Sequence, residues 1–289
     1  MEIFQRHRAR LFGIAYRMLG SVQDAEDVLQ EAYLRWHSSD PATLRNAEAW
    51  LVAVTTRLSI DRLRRATTER EAYLGTWLPE PIASGPDTTA DRHAELVSDL
   101  SVAFLLMLER LAPEERAAFL LREVFDSDYA EIARVLERSE AACRQLVHRA
   151  RERVRGGRPR FSVPAETRER LLERLLAALE RGDQRELLAL VAPGATFDAD
   201  GGGRVSAMRR QVQGAERIVR MMLGFERKGR GLVRHSVAWV NGEPAVLTHA
   251  GENLLFTTSV ETDGEQFLAF YRVLNPDKLR HLVRREPDA

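Results

Sequence analysis

A single cysteine, Cys143, stands in a chain of 289 residues, so no disulfide can form within it. Lysine is almost missing: Lys228 and Lys278 are the only two, and arginine supplies the rest of the 43 cations. No apolar run reaches membrane-spanning length. The N-terminus, Met1 to Arg10, is polar and Arg-rich rather than a secretory leader, so the chain is expected in the cytoplasm and away from membranes. His and Cys spacing offers no metal site, and the one glycine run, Gly201-Gly202-Gly203, is not followed by the Lys-Ser/Thr of a phosphate loop. Neither metal nor cofactor is expected. Net charge is also absent, 43 basic against 43 acidic residues, which by itself argues against a nucleic-acid partner.

The distribution of charge says more than its sum. Between Arg138 and Arg160 eight arginines face only Glu140 and Glu152, whereas Val22 to Glu31 carries Asp24, Glu26, Asp27 and Glu31 with no cation. Two surfaces of opposite sign suit two different partners. Just before the basic stretch, Asp128 precedes Glu131 by three residues, a capping box that opens a short helix with Ile132, Ala133 and Leu136 inward. Ser139 caps a second helix in which Cys143, Leu146, Val147 and Ala150 recur at helical spacing. Arg144, Gln145, His148, Arg149 and Arg151 are left outside. A helix-turn-helix requires this division, because its second helix must bury one stripe and present long donors to base edges. An amphipathic hairpin with a solvated arginine face is the simpler alternative.

Along the chain, the first 66 residues read as helical. Phe4, Leu11, Ile14, Ala15, Met18 and Leu19 keep helical spacing up to Gly20. Ser21 caps a helix to about Trp36 with Val28, Leu29, Ala32 and Tyr33 inward, and a third helix over 47–65 follows a loop at 37–46. Residues 67–93 read as a linker with three prolines, yet Trp77-Leu78-Pro79-Glu80-Pro81-Ile82 places large apolar groups beside prolines, which suits a docking segment. Residues 94–157 form a second helical domain, with an apolar helix over 96–111 and Pro113 in a first turn. Residues 158–289 begin with a helix over 166–181, and another is expected over 215–227. Alternating runs at 195–200, 232–240, 245–249, 254–261 and 266–274 follow the first helix, with 278–285 as a last strand. The fold expected is therefore multidomain: two all-α domains, then an α+β cone with a curved antiparallel sheet.

The acidic helix Asp24 to Trp36 followed by Trp50 to Arg65 resembles region 2 of an extracytoplasmic-function (group IV) sigma factor, and Leu111 to Arg116 with the helix-turn-helix resembles its region 4. Trp77 to Pro81, Asp200-Gly201-Gly202-Gly203 and Asn275-Pro276-Asp277-Lys278-Leu279 resemble the signatures of the SigJ-like subgroup with a C-terminal SnoaL-like (NTF2-fold) extension. This resemblance implies a promoter-recognition subunit of bacterial RNA polymerase. Asp24, Asp27, Gln30 and Glu31 would face the β′ clamp, with the β subunit as a further contact. Asn46, Thr55, Arg57, Asp61, Arg62 and Arg65 would handle the −10 element of promoter DNA, and Arg144, Gln145, His148 and Arg149 the −35 element. The three signatures, Trp77, Leu78, Pro79, Glu80 and Pro81 together with those at 200–203 and 275–279, would meet at an interdomain regulatory surface.

SnoaL-like folds include cyclases and isomerases, so an alternative reading is a DNA-binding regulator with an enzymatic or small-molecule-binding C-terminal domain. Asp198, Asp200, His235 and His249 are the titratable candidates for an acid/base pair there. Asp200 beside three glycines reads more simply as a strand-ending turn, and the main expectation is not an enzyme. An unidentified small-molecule ligand in the C-terminal cleft remains compatible with either reading.

Overall fold

A computed structural model describes residues 2–39, 46–84, 100–155 and 163–283. The expected loop at 40–45, the linker residues 85–93, the first part of the helix expected from residue 96, the glycine-rich joint at 156–159 and residues 284–285 lie outside them. Two compact units result, one built of helices and the other of the segments 73–84 and 101–103 with everything described from Val163 onward.

In the helical unit, α1 (Glu2–Leu19), α2 (Val22–Ser38) and α3 (Ala47–Glu71) pack on one another. Every apolar position expected of α1 is buried, from Phe4 to Leu19. Gly20 stops the helix in the left-handed region (φ 64°), and Ser21 caps α2 by accepting from the Asp24 amide at 3.2 Å. Helix α3 runs six residues past the expected end at Arg65, because Ala66 packs inward and nothing before Ala72 breaks it. Then come α4 (Val102–Leu108), α5 (Pro113–Glu123), α6 (Tyr129–Leu136) and α7 (Glu140–Val154).

In the second unit, α8 (Ala165–Arg181) and α9 (Gln184–Leu190) lead into β1 (Val191–Asp200) and β2 (Val212–Gln213). Helix α10 (Ala215–Gly229) follows, then β3 (Arg234–Val240), β4 (Glu243–Ala250), β5 (Asn253–Thr262), β6 (Phe267–Val273) and α11 (Pro276–Val283). The sheet order is β2-β1-β6-β5-β4-β3. Neighbours are antiparallel as expected except β1 and β6, which run parallel because the long excursion through α10 and the β3–β6 meander separates them. Register shifts within β4, β5 and β1 bend the sheet over α8 and α10, whose Leu172, Leu175, Ile218 and Val219 meet Phe197, Phe267 and Phe270.

The last strand expected at 278–285 is a helix instead. Pro276 occupies a first-turn position where its missing N–H costs nothing, and Asn275 Oδ1 accepts from the Asp277 amide at 3.1 Å, so Asn-Pro-Asp is a helix start.

Candidate functional site

Helices α6 and α7 form the expected hairpin. Asp128 caps α6 through the Glu131 amide at 2.7 Å, Glu137 takes the left-handed turn at φ 55°, and Ser139 caps α7 through the Ala142 amide at 3.2 Å. Cys143, Leu146, Val147 and Ala150 are buried, and Arg144, Gln145, His148 and Arg149 are exposed. Val135 rather than Leu136 is the buried end of α6. Burial raises the Cys143 thiol above its ordinary range, with Glu140 adding to it, so the thiol stays protonated. Several of the exposed arginines are pre-engaged. Arg144 pairs with Glu140 at 2.7 Å and lies 5.0 Å over the Tyr129 ring, while Arg149 and Arg153 clasp buried Glu115 at 3.0 and 2.5 Å.

The residues expected on the −10 element do not form one open face here. Thr55 is fully buried, as the i+4 neighbour of Leu51 on the inward stripe, and offers no surface to DNA in this arrangement. Asn46 caps α3 through the Ala49 amide at 3.0 Å. Arg57 donates to the carbonyls of Arg134 (2.8 Å) and Val135 (2.7 Å) and pairs with Glu137, so it satisfies the C-terminal end of α6. Arg62 is bonded to Asp24 at 2.6 Å, which draws that acid out of the expected polymerase-facing set. Asp61 and Arg65 are exposed, as are Asp27, Gln30 and Glu31, the last paired with Arg35 at 2.6 Å. Trp50 packs against Trp36 with ring centroids 5.7 Å apart.

The second unit assembles all three short motifs around one carboxylate. Asp200, at the end of β1, is fully buried and accepts four hydrogen bonds. Tyr73 Oη (2.6 Å) and the Gly202 amide (3.0 Å) reach Oδ1, and the Leu78 amide (2.9 Å) and Lys278 Nζ (2.7 Å) reach Oδ2. Burial and then the Asp200 carboxylate push the Tyr73 phenol up, so it remains a donor. Lys278 Nζ also reaches the Leu78 carbonyl at 2.5 Å and sits 4.4 Å over the Trp77 ring. Asn275 completes the knot by donating to Tyr73 Oη at 3.1 Å.

From this knot the segment continues as a strap. Leu78, Pro79, Glu80 and Pro81 are buried, Glu80 pairs with His281 at 3.1 Å, and the Ile82 amide bonds Asn241 Oδ1 at 3.0 Å. The Asn241 amide returns to the Ile82 carbonyl, and Ser84 to the Trp239 carbonyl, so residues 82–84 pair with the open edge of β3. Pro276 is exposed and Asp277 pairs with Arg204 at 3.2 Å, while Leu279 is buried.

Two glycines are required by shape. A Cβ on Gly201 would stand 2.4 Å from the Val205 carbonyl oxygen, and one on Gly202 (φ +59°) 2.2 Å from Asn275 Nδ2. Gly202→Ala is therefore expected to cost about 1–3 kcal/mol of strap docking. Faster amide exchange at Leu78 and Ile82 in the variant checks it; unchanged exchange at both refutes it.

Of the four acid/base candidates only His235 lines the cleft beneath the curved sheet. Asp200 is in the knot, Asp198 accepts from Gln211 at 2.7 Å with its pKa raised by burial, and His249 lies outside the lining. No acid/base pair is assembled from them. Among the described residues no helix is long and apolar enough to cross a membrane.

Comparison with known proteins fits this geometry. A model of Sigma-70 region 2 matches residues 3–69 and one of Sigma-70, region 4 matches residues 101–154. The ECF RNA polymerase sigma factor SigJ of Mycobacterium tuberculosis is 39% identical over 292 aligned residues, covering 96% of this chain and 93% of the relative. A probable ECF RNA polymerase sigma factor from the same organism, SigI, is 30% identical over 289 residues with the same coverages. The crystal structure of M. tuberculosis SigJ aligns with a TM-score of 0.77 at 36% identity, covering 97% of this chain and 98% of that one.

Proposed function

Because this chain belongs to the extracytoplasmic-function RNA polymerase sigma factors, we propose that its SnoaL-like α+β domain regulates promoter recognition in cis through the strap it holds. The chain directs transcription initiation by binding RNA polymerase core and promoter DNA, and it is not itself an enzyme. The observation that carries cis regulation is the Asp200–Lys278 knot. It grips residue 73 onward, two residues after α3 ends, so the helix expected to handle the −10 element leads straight into a tethered segment. A change in the tether's occupancy thus changes the freedom of α3. The four-part division at residues 66, 93 and 157 belongs to the same reading.

Contacts are assigned by chemistry. Asp27, Gln30 and Glu31 present an acidic helix face to the β′ clamp, where opposite charge speeds assembly. Arg144, Gln145, His148 and Arg149 enter the −35 major groove, and Arg57 joins the −10 contacts once released from the α6 carbonyls. Action with polymerase places the protein in the cytoplasm.

Run-off transcription with core polymerase on a selected promoter tests this, comparing the native chain with Lys278→Met. Promoter-dependent transcript whose yield changes with the variant supports the reading; equal yields sink cis control. On the same promoter Arg144→Ala is expected to lose ~1–3 kcal/mol of specific binding. Equal loss on scrambled DNA would make it a phosphate contact instead.

A further inference from the structure

Inside the α+β unit lies a cleft walled by Leu175, Leu176, Leu179, Met222, Val246 and Phe270. Its polar groups are few: Glu226, His235, Thr248, Thr258 and Arg272. Such a cavity, apolar with a small convergent polar set, is the usual form of a ligand site. We propose that this cleft binds a short monocarboxylate with an apolar body, its carboxylate anchored by Arg272.

The guanidinium of Arg272 is carried by β6 among three aromatic rings, 4.1 Å from the Phe256 centroid, 5.0 Å from Phe197 and 5.7 Å from Phe225. Its Nε donates to Thr258 Oγ1 at 3.1 Å, and its terminal nitrogens have no hydrogen-bond partner among the described residues. Burial lowers its pKa to about 10, with Glu226 acting the other way, so the group is still a cation at neutral pH. A desolvated cation in the wall of a cavity favours an anion there.

The carboxylate of the cleft itself is already committed. Glu226 Oε1 lies 3.0 Å from His235 Nε2, and His235 Nδ1 is 2.8 Å from Thr248 Oγ1. The planar fork of one guanidinium matches one carboxylate bidentately, and no second cation lines the cleft to neutralise a phosphate dianion. The aromatic faces that would attract a cationic ligand are taken by Arg272 itself. The leucines and Met222 then receive the apolar part of the acid. This inference rests on the cleft alone and stands whether or not the domain controls transcription.

The full chain titrated with benzoate and with hexanoate, against benzyl alcohol and 1-hexanol as uncharged matches, tests it by NMR shifts at Phe256 and Thr258. The acids are expected to saturate these shifts and the alcohols to bind at least tenfold more weakly. Arg272→Gln should lower acid affinity at least tenfold, whereas Glu226→Gln, which removes a like charge, should raise it. If Arg272→Gln does not fold, Leu176→Trp narrows the cleft with the anchor intact and should abolish binding. Alcohols binding as tightly as acids, undiminished binding to the folded Arg272→Gln or Leu176→Trp variants, weaker binding to Glu226→Gln, or no shift with either acid would each overturn the assignment.

Discussion

Replacing Lys278 with methionine is expected to release the strap, residues 73–84, from the α+β unit. The substitution keeps most of the side chain's length and apolar stem but leaves Asp200, 0% exposed, as a buried carboxylate without its cation. Breaking a buried ion pair from one side costs about 3–5 kcal/mol. Loss of the Leu78 carbonyl bond and of the cation over Trp77 adds to this. Hydrogen exchange at Leu78 and Ile82 should accelerate at least a hundredfold, while the β4–β5 ladder keeps its protection. Asp200→Asn combined with Lys278→Met should recover part of the loss, because no unpaired charge remains. If Lys278→Met leaves strap exchange at its native rate, the knot does not hold the strap, and cis control loses its physical basis.

A loss of similar size is expected from Glu109→Gln in the helical unit. Glu109 follows α4 directly and accepts from Arg116 Nη1 at 2.8 Å and from Arg70. Arg116 is 2% exposed and also donates to the Met18 carbonyl at 2.7 Å, and Arg70 reaches the Leu19 carbonyl. One carboxylate thereby ties α3 and α5 to the C-terminal end of α1. Burial lowers the Arg116 pKa and Glu109 is its chief counterweight, so the amide removes the carboxylate charge that Arg116 and Arg70 share. The cost is again about 3–5 kcal/mol, equivalent to a melting shift on the order of 10 °C for a domain of this size. Calorimetry of the variant measures it. A shift of less than about 2 °C would show that solvent, not Glu109, balances these arginines.

Much of this was legible in the chain itself. Helix caps are local chemistry: Ser21, Asp128 and Ser139 each bond the amide three residues on, and spacing alone identifies them. The buried stripe of α7 and the core face of α1 follow from the 3.6-residue period. The Asn241-Gly242 dipeptide, both residues of which take positive φ, is a local turn signal of the same kind. The helix at 276–283, expected as a strand over 278–285, has its local signal in the Asn-Pro-Asp cap.

Tertiary structure alone decided what the charges do. Nothing local distinguishes Arg57 from Arg65, yet the first is spent on carbonyls 77 and 78 residues away and the second is exposed. Thr55 reads as a polar surface residue and is buried, because α3 must pack on more than one side. Asp24 and Asp27 share one acidic run, but only Asp24 meets Arg62 across helices. The Asp200 knot joins residues 73, 78, 200, 202 and 278, and the cation of the cleft, Arg272, emerged from no motif. The physical reason is range. Caps and periodicity are set by neighbours within one or two turns, whereas the partner of a buried charge is fixed only when distant segments exclude water together and each charge must find its counterpart there.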